Sequence, residues 1–245
     1  MRFFVIRMST GEYLTKAKLL SNTDSLANGG VNGTGPGTVQ NWNNLGAEKS
    51  LASFDVTHRA VINYVLNIPV GRGQKFLGTV SGVADKVISG WAINGITTFQ
   101  SGFPLNFQAS PTILSSTFGG GMPRPNIVPG CRIEIEGRAE DRLNKWFNTA
   151  CFTAPPSFGF GNAPRTMNIR AMGINNFDFA LAKNTSITER VRFQFRVEAF
   201  NIFNRVQFNP PGTVFGISTF GVTSASVASQ ANQPRLIQLA VKFEF

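Results

Sequence analysis

Apolar and polar positions alternate along five stretches of this chain. The period is two, which sends successive strand side chains to opposite faces of a sheet. In residues 58–70, Ala60, Ile62, Tyr64, Leu66 and Ile68 fall on one face, and Arg59, Val61, Asn63, Val65 and Asn67 on the other. In residues 90–100, Trp91, Ile93, Thr97 and Phe99 oppose Asn94, Thr98 and Gln100. In residues 175–183, Phe177, Phe179 and Leu181 oppose Asp178, Ala180 and Ala182. A tight turn at residues 187–190 leads into residues 191–199. There Val191, Phe193, Phe195, Val197 and Ala199 oppose Arg192, Gln194, Arg196 and Glu198. The fifth strand covers residues 235–245, with Ile237, Leu239, Val241, Phe243 and Phe245 at every second position. Strict alternation of this kind predicts two-faced strands. Residues 1–20 alternate poorly and predict a partial strand at most.

The segments between these strands are long and rich in Gly, Pro, Asn and Ser, the punctuation of loops. Residues 21–57, 101–173 and 205–233 read as loops. The connection at residues 71–88 is Gly-rich, with a short helix predicted within 74–86. Inside the longest loop, residues 132–136 predict a short strand. Residues 139–147 predict a helical turn, with Leu143, Trp146 and Phe147 on one face. Compact soluble domains seldom hold unstructured connections beyond about 12–15 residues. Outer-membrane barrels do hold them on the extracellular side, opposite short periplasmic turns. The expected fold is therefore all-β: an antiparallel transmembrane β-barrel segment with long outer loops. Residues 58–245 would form the barrel part, and residues 1–57 a poorly matching strand remnant and loop. Five strands, with a sixth near the N-terminus, fall short of the roughly eight in the smallest bacterial barrels, so the segment is expected to belong to a larger one.

Composition sharpens this picture. Only 15% of residues are charged, below the roughly 25% of soluble globular domains. There are 23 Phe against 2 Tyr and 3 Trp, more rings than a soluble domain of this size readily buries. A lipid-facing barrel wall has room for them. Nothing approaches the ~20 apolar residues of a membrane helix. The run between Arg2 and Arg7 is four residues long, shorter than the ~7–15 of a secretory signal core. For an exported protein this implies that Met1 is not the natural start.

The net charge of +10 admits an anionic partner. The basic residues are dispersed, however, and no nucleic-acid motif is present, so nucleic acid is not expected to bind. His58 is the only histidine and stands at a strand start. Glu134 and Glu136 sit in a polar loop. Gly71-Arg-Gly lacks the Lys-Ser/Thr of a phosphate loop. No catalytic constellation, metal site or cofactor site is expected. Cys131 and Cys151 have neither CxxC spacing nor histidine partners. They are candidates for one disulfide in an oxidising compartment, with two free thiols as the alternative. A secreted, disulfide-bonded β-sandwich that binds a surface or glycan is the competing architecture.

Several segments, in order, carry a family resemblance. They are Ala52-Ser-Phe-Asp-Val-Thr-His-Arg, Gly90-Trp-Ala-Ile-Asn-Gly-Ile-Thr-Thr-Phe-Gln-Ser-Gly-Phe-Pro-Leu, Trp146-Phe-Asn-Thr-Ala-Cys-Phe and Phe160-Gly-Asn-Ala-Pro-Arg, followed by Ile187-Thr-Glu-Arg-Val-Arg-Phe-Gln-Phe-Arg-Val-Glu-Ala-Phe-Asn and Gln233-Pro-Arg-Leu-Ile-Gln-Leu-Ala-Val-Lys-Phe-Glu-Phe. Over residues 45–245 the chain resembles the C-terminal end of Oar-like TonB-dependent receptors, which carry a carboxypeptidase-regulatory-like domain. The row Ile237, Leu239, Val241, Phe243 and Phe245 also resembles the C-terminal signal read by barrel-assembly machinery. The resemblance implies an outer-membrane location and a plugged barrel of about 22 strands. It implies uptake of an unidentified solute driven through TonB. The implied partners are outer-membrane lipid, the assembly machinery and the rest of the receptor barrel and plug. TonB would be reached only through an N-terminal part this chain lacks, so transport would belong to the whole receptor.

Overall fold

The computed structural model describes residues 4–9, 40–41, 43–110, 123–223 and 234–245. The loops expected at residues 21–57, 101–173 and 205–233 lie partly outside the described residues, as does most of residues 1–20.

Six long strands dominate the described residues. β1 (Phe4–Ser9), β2 (Arg59–Asn67) and β3 (Trp91–Gln100) come first. Five short strands follow: β4 (Pro104–Leu105), β5 (Gln108–Ala109), β6 (Asn126–Ile127), β7 (Phe152–Thr153) and β8 (Met167–Arg170). Then come β9 (Ile174–Ser186), β10 (Arg192–Phe200), the short β11 (Val214–Phe215) and β12 (Leu236–Glu244). The long strands form one six-stranded sheet in the order β1-β2-β3-β9-β10-β12. Every pairing in it is antiparallel. Setting the short strands aside, each long strand pairs with its neighbour in sequence, so the sheet is an up-and-down meander. The chain is mostly β, and among the described residues no helix is long and apolar enough to cross a membrane.

Register converts the alternation into two continuous faces, because residues paired across antiparallel strands point the same way. One horizontal row runs Leu66, Ile93, Leu181, Val197, Leu239, each paired with the next. The rows toward one end of the strands carry Tyr64, Phe179 and Ile237, then Ile62 and Phe177, then Phe99. Those toward the other end carry Trp91, Phe195 and Val241, then Phe193 and Phe243. This whole face is apolar apart from a few positions such as Thr97 and Lys183. The opposite face carries Asn63, Asn94, Asp178, Gln194, Arg196, Glu198, Gln238 and Lys242.

The strand ends differ. At one end the connections are the tight β9–β10 turn and residues 68–90. In the turn, Ile187 N–H and Thr188 N–H both donate to Val191 C=O. At the other end the described residues of the β1–β2, β3–β9 and β10–β12 connections gather, and there they fold. The hydrophobic core cluster comprises Leu105, Phe107, Trp146, Phe147, Cys151, Phe152, Met167 and Ile169. None of these belongs to the six long strands. The described residues of the long loop expected over 101–173 thus form a small packed unit, stitched by β4–β8, β6–β7 and the parallel β5–β11 pair.

Some local expectations need correction. Residues 132–136 form no strand; Glu134 makes one isolated bridge to Phe147. In residues 139–147 the helix stops after a 3-10 turn, Ala139–Arg142. Tertiary partners claim the backbone beyond it: Trp146 N–H donates to Gly221 C=O and Asn148 N–H to Ile133 C=O. The helix expected within 74–86 forms later, at Val83–Ile88, and is called α1. Gly71, Gly73 and Gly78 are used instead in turns, with Gly71 N–H donating to Phe76 C=O and Gly73 N–H to Gly78 C=O.

Candidate membrane-facing surface and loop cap

Among the described residues the apolar face is open over β12 and much of β2. Leu239 is 66% exposed and Phe243 52%, and Ile237, Val241 and Leu66 are similarly open. A soluble sandwich would cover such a face with a second sheet about 10 Å away. No second layer lies over it among the described residues. A continuous apolar patch of this extent marks an interaction surface rather than ordinary exterior. Its height fits a membrane: nine residues of β12 at about 3.4 Å each span about 30 Å, and a tilt near 45° projects this to about 21 Å, close to the ~25 Å apolar band of outer-membrane barrels.

The face is also zoned by depth. The central row is aliphatic, and the rings sit toward both rims. Toward the cap, Phe99 meets Phe177 edge-on at 5.5 Å, and Phe177 meets Phe203 at 5.0 Å. Toward the turns, Phe193 packs on Phe243 at 5.3 Å. Tyr64 lies across Gly95, where a Cβ would sit 2.2 Å from its ring. The glycine gives the ring space to lie flat along the wall, an aromatic cover of a strand glycine.

The polar face behaves as a wetted surface. Arg196 pairs with Glu198 at 3.2 Å, Lys242 with Glu244 at 2.7 Å, and Gln194 donates to Asn184 at 2.8 Å. Near the cap, Asn176 donates to Asp178, whose carboxylate also accepts the Asn201 N–H.

The cap is tied together by rings, ions and one disulfide. Phe107 stacks on Phe152 and meets Phe147 edge-on, both at 5.0 Å; Phe220 closes the group from the last loop. A disulfide joins Cys131 and Cys151, with Cα atoms 5.5 Å apart. The segment preceding β2 is held by two ion pairs, Glu48 with Arg124 and Asp55 with Arg170. The Glu48–Arg124 pair is buried. Burial pushes the Arg124 guanidinium below its usual pKa, and the Glu48 carboxylate opposes that shift.

Each site residue predicted from sequence now has a place. Ile237, Leu239, Val241 and Phe243 form the outward row of β12, and Phe245 follows just beyond it, almost fully exposed. Cys131 and Cys151 lie in the cap, far in the fold from that row. His58 is exposed at the cap end of β2, where its C=O accepts the Ser101 N–H. Glu136 pairs on the surface with Arg132. Among the described residues no three potential metal-ligating side chains come together. Sequence reasoning missed the cap core and its ion pairs. The available signal was the recurrence of Phe within the loops, at 107, 147, 152 and 220.

Two adjoining cavities open where cap meets sheet. One, of about 580 Å³, is lined by His58, Ala60, Phe99, Ser101 and Met172 among others. The second, of about 470 Å³, shares Met172 and Asn175 and adds Arg138, Phe203 and Arg205. Both are rim clefts; the first is mainly apolar, and the second also gathers Glu140 and Asn204.

A family model described as an outer membrane beta barrel domain matches residues 13–238. No curated protein and no solved structure matches the chain.

Proposed function

The chain belongs to the outer membrane beta barrel domain family and resides in the outer membrane, and from that premise we propose that it forms the C-terminal wall of a TonB-dependent receptor of the Oar-like kind. The observation that carries the membrane part is the uncovered apolar face, zoned into an aliphatic middle and ring-bearing rims. The receptor part rests on the ordered segments between residues 45 and 245.

In this reading the apolar face meets lipid and the polar face meets the lumen. The cap is extracellular, because long connections of outer-membrane barrels face out and short ones face the periplasm. The sheet has two edges, β1 and β12. In hydrocarbon each unpaired backbone group costs several kcal/mol, so such edges require further strands. The six long strands among the described residues fall below the roughly eight of the smallest bacterial barrels, which supports a wall within a larger barrel of the plugged, about 22-stranded class. In such a receptor, a plug and a TonB-contacting segment work together with this wall. The row Ile237, Leu239, Val241, Phe243 and Phe245 is the segment we assign to recognition by the assembly machinery. The folded cap supplies outer surface for solute capture, whose chemistry the whole receptor determines.

The test is translation of the DNA upstream of Met1 in all three forward frames. Further alternating strands preceded by a plug and a signal peptide are expected. A promoter and ribosome site directly upstream, with no such coding sequence, would refute the receptor assignment while leaving the outer-membrane location intact.

A further inference from the structure

The connection from β2 to β3 is long for a periplasmic turn, and its placement explains why. We propose that residues 71–89, centred on α1, lie on the lipid side of the wall as an interfacial anchor in the phospholipid leaflet at the turn end of the strands. The proposal rests on the apolar face being the lipid face.

Position comes first. Side-chain bonds tie α1 to residues of the apolar face. Trp91 Nε1–H donates to Val87 C=O at 3.1 Å. Lys183 Nζ donates to Lys86 C=O at 2.7 Å and also to Ser89 C=O. Thr185 lies within reach of the same Lys86 carbonyl. By register Trp91 and Lys183 share the outward face with Phe195 and Val241, and Thr185 shares it with Phe193. The helix therefore sits outside the wall, not in the lumen. Gly90 permits this: it adopts φ +76°, and a Cβ there would sit 2.1 Å from the Asn184 carbonyl oxygen.

Chemistry comes second. The segment turns its apolar side chains away from the protein. Val83 is 79% exposed and Val87 62%, with Phe76 and Leu77 more than half exposed. Arg72, Lys75 and Lys86 flank them against the single acid Asp85. Apolar side chains beside a basic flank suit the boundary between acyl chains and anionic headgroups. The same arrangement accounts for Lys183. An ammonium on a lipid face is costly unless it pairs or reaches the interface. Here it caps the unpaired C-terminal carbonyls of α1.

Depth-dependent quenching in isolated outer membranes tests this on the full chain. Single variants Val83→Cys, Val87→Cys and Leu239→Cys would carry a small fluorophore; Cys131 and Cys151, bonded to each other, take no label. The probes are doxyl stearates with the nitroxide near the headgroup or near the chain terminus, and aqueous iodide. The expected result is loss of fluorescence at residues 83 and 87 with the shallow nitroxide and little with iodide, while residue 239 responds to the deep one. If residue 239 responds to the deep nitroxide but 83 and 87 respond only to iodide, the anchor is overturned and the lipid face stands. If all three respond only to iodide, the lipid face falls and the anchor with it.

Discussion

Leu239→Arg and Gln238→Arg introduce the same side chain at adjacent positions of β12 and should differ sharply. Leu239 ends the aliphatic row that begins at Leu66, and it is the fourth of the nine residues of its strand, close to mid-depth. An arginine facing lipid near the midplane costs about 2–4 kcal/mol. At 1.4 kcal/mol per factor of ten, that lowers the assembled fraction roughly 30- to 1,000-fold at equilibrium. Gln238 faces the other way and pairs in register with Glu198. An arginine there meets water and an opposite charge, for which exposed pairs give at most about 1 kcal/mol of stabilisation. The assay is resistance of the full chain to urea extraction from outer membranes, across a urea series. Leu239→Arg should move to the extractable fraction at much lower urea, and Gln238→Arg should follow the parent. Equal effects, or a larger effect at Gln238, would refute the assignment of faces.

Depth supplies a second test. Phe243→Arg, at the rim, should cost only about 0–1 kcal/mol in the same series, because the penalty fades toward the interface. Replacing both Cys131 and Cys151 by Ser removes a link across a sequence separation of 20. Chain-entropy reasoning puts that at about 3 kcal/mol; limited proteolysis should cut residues 101–173 faster while the strands stay protected. Glu48→Ala leaves the buried Arg124 without its counter-charge, a change that typically costs about 3–5 kcal/mol, so proteolysis should release the segment before β2 first. Gly90→Val forces a β-branched residue into a left-handed conformation against the Asn184 carbonyl. The conformation alone costs about 1–2 kcal/mol, and the fluorophore at residue 87 should then lose its lipid contact.

The sheet was legible because its signal is local. Five of the six strands, their two faces and the tight turn at 187–190 follow from alternation that a single strand already displays. Strand limits shifted by a residue or a few, as in β9, which continues past Lys183 to Ser186 because β10 pairs with it that far. The cap was not legible. Its core joins Phe107, Phe152 and Phe220, residues far apart with no common period between them. Its backbone is satisfied by partners such as Gly221 for Trp146, not by neighbours. The lipid-side placement of residues 71–89 was hidden for the same reason. Only the register of Trp91 and Lys183 reveals which face the helix occupies.

The many Phe residues and scarce Tyr and Trp look unsuited to a barrel, whose interfaces favour rings with a polar tip. The fold resolves this by dividing the Phe between two solvents. In the cap, Phe107, Phe147 and Phe152 are buried from water as in any soluble core. On the wall, Phe99, Phe177, Phe193 and Phe243 sit at the rims, and at Phe177, as at Phe203 and Phe76 in the adjoining connections, a neighbour provides the polar end that Phe lacks. Arg205 lies over both Phe177 and Phe203, at 5.7 and 5.9 Å. Lys75 lies over Phe76 at 5.6 Å. A cation over a ring is attracted to it, more strongly when desolvated. A Phe–Arg pair thus does the work of one amphipathic ring with two side chains.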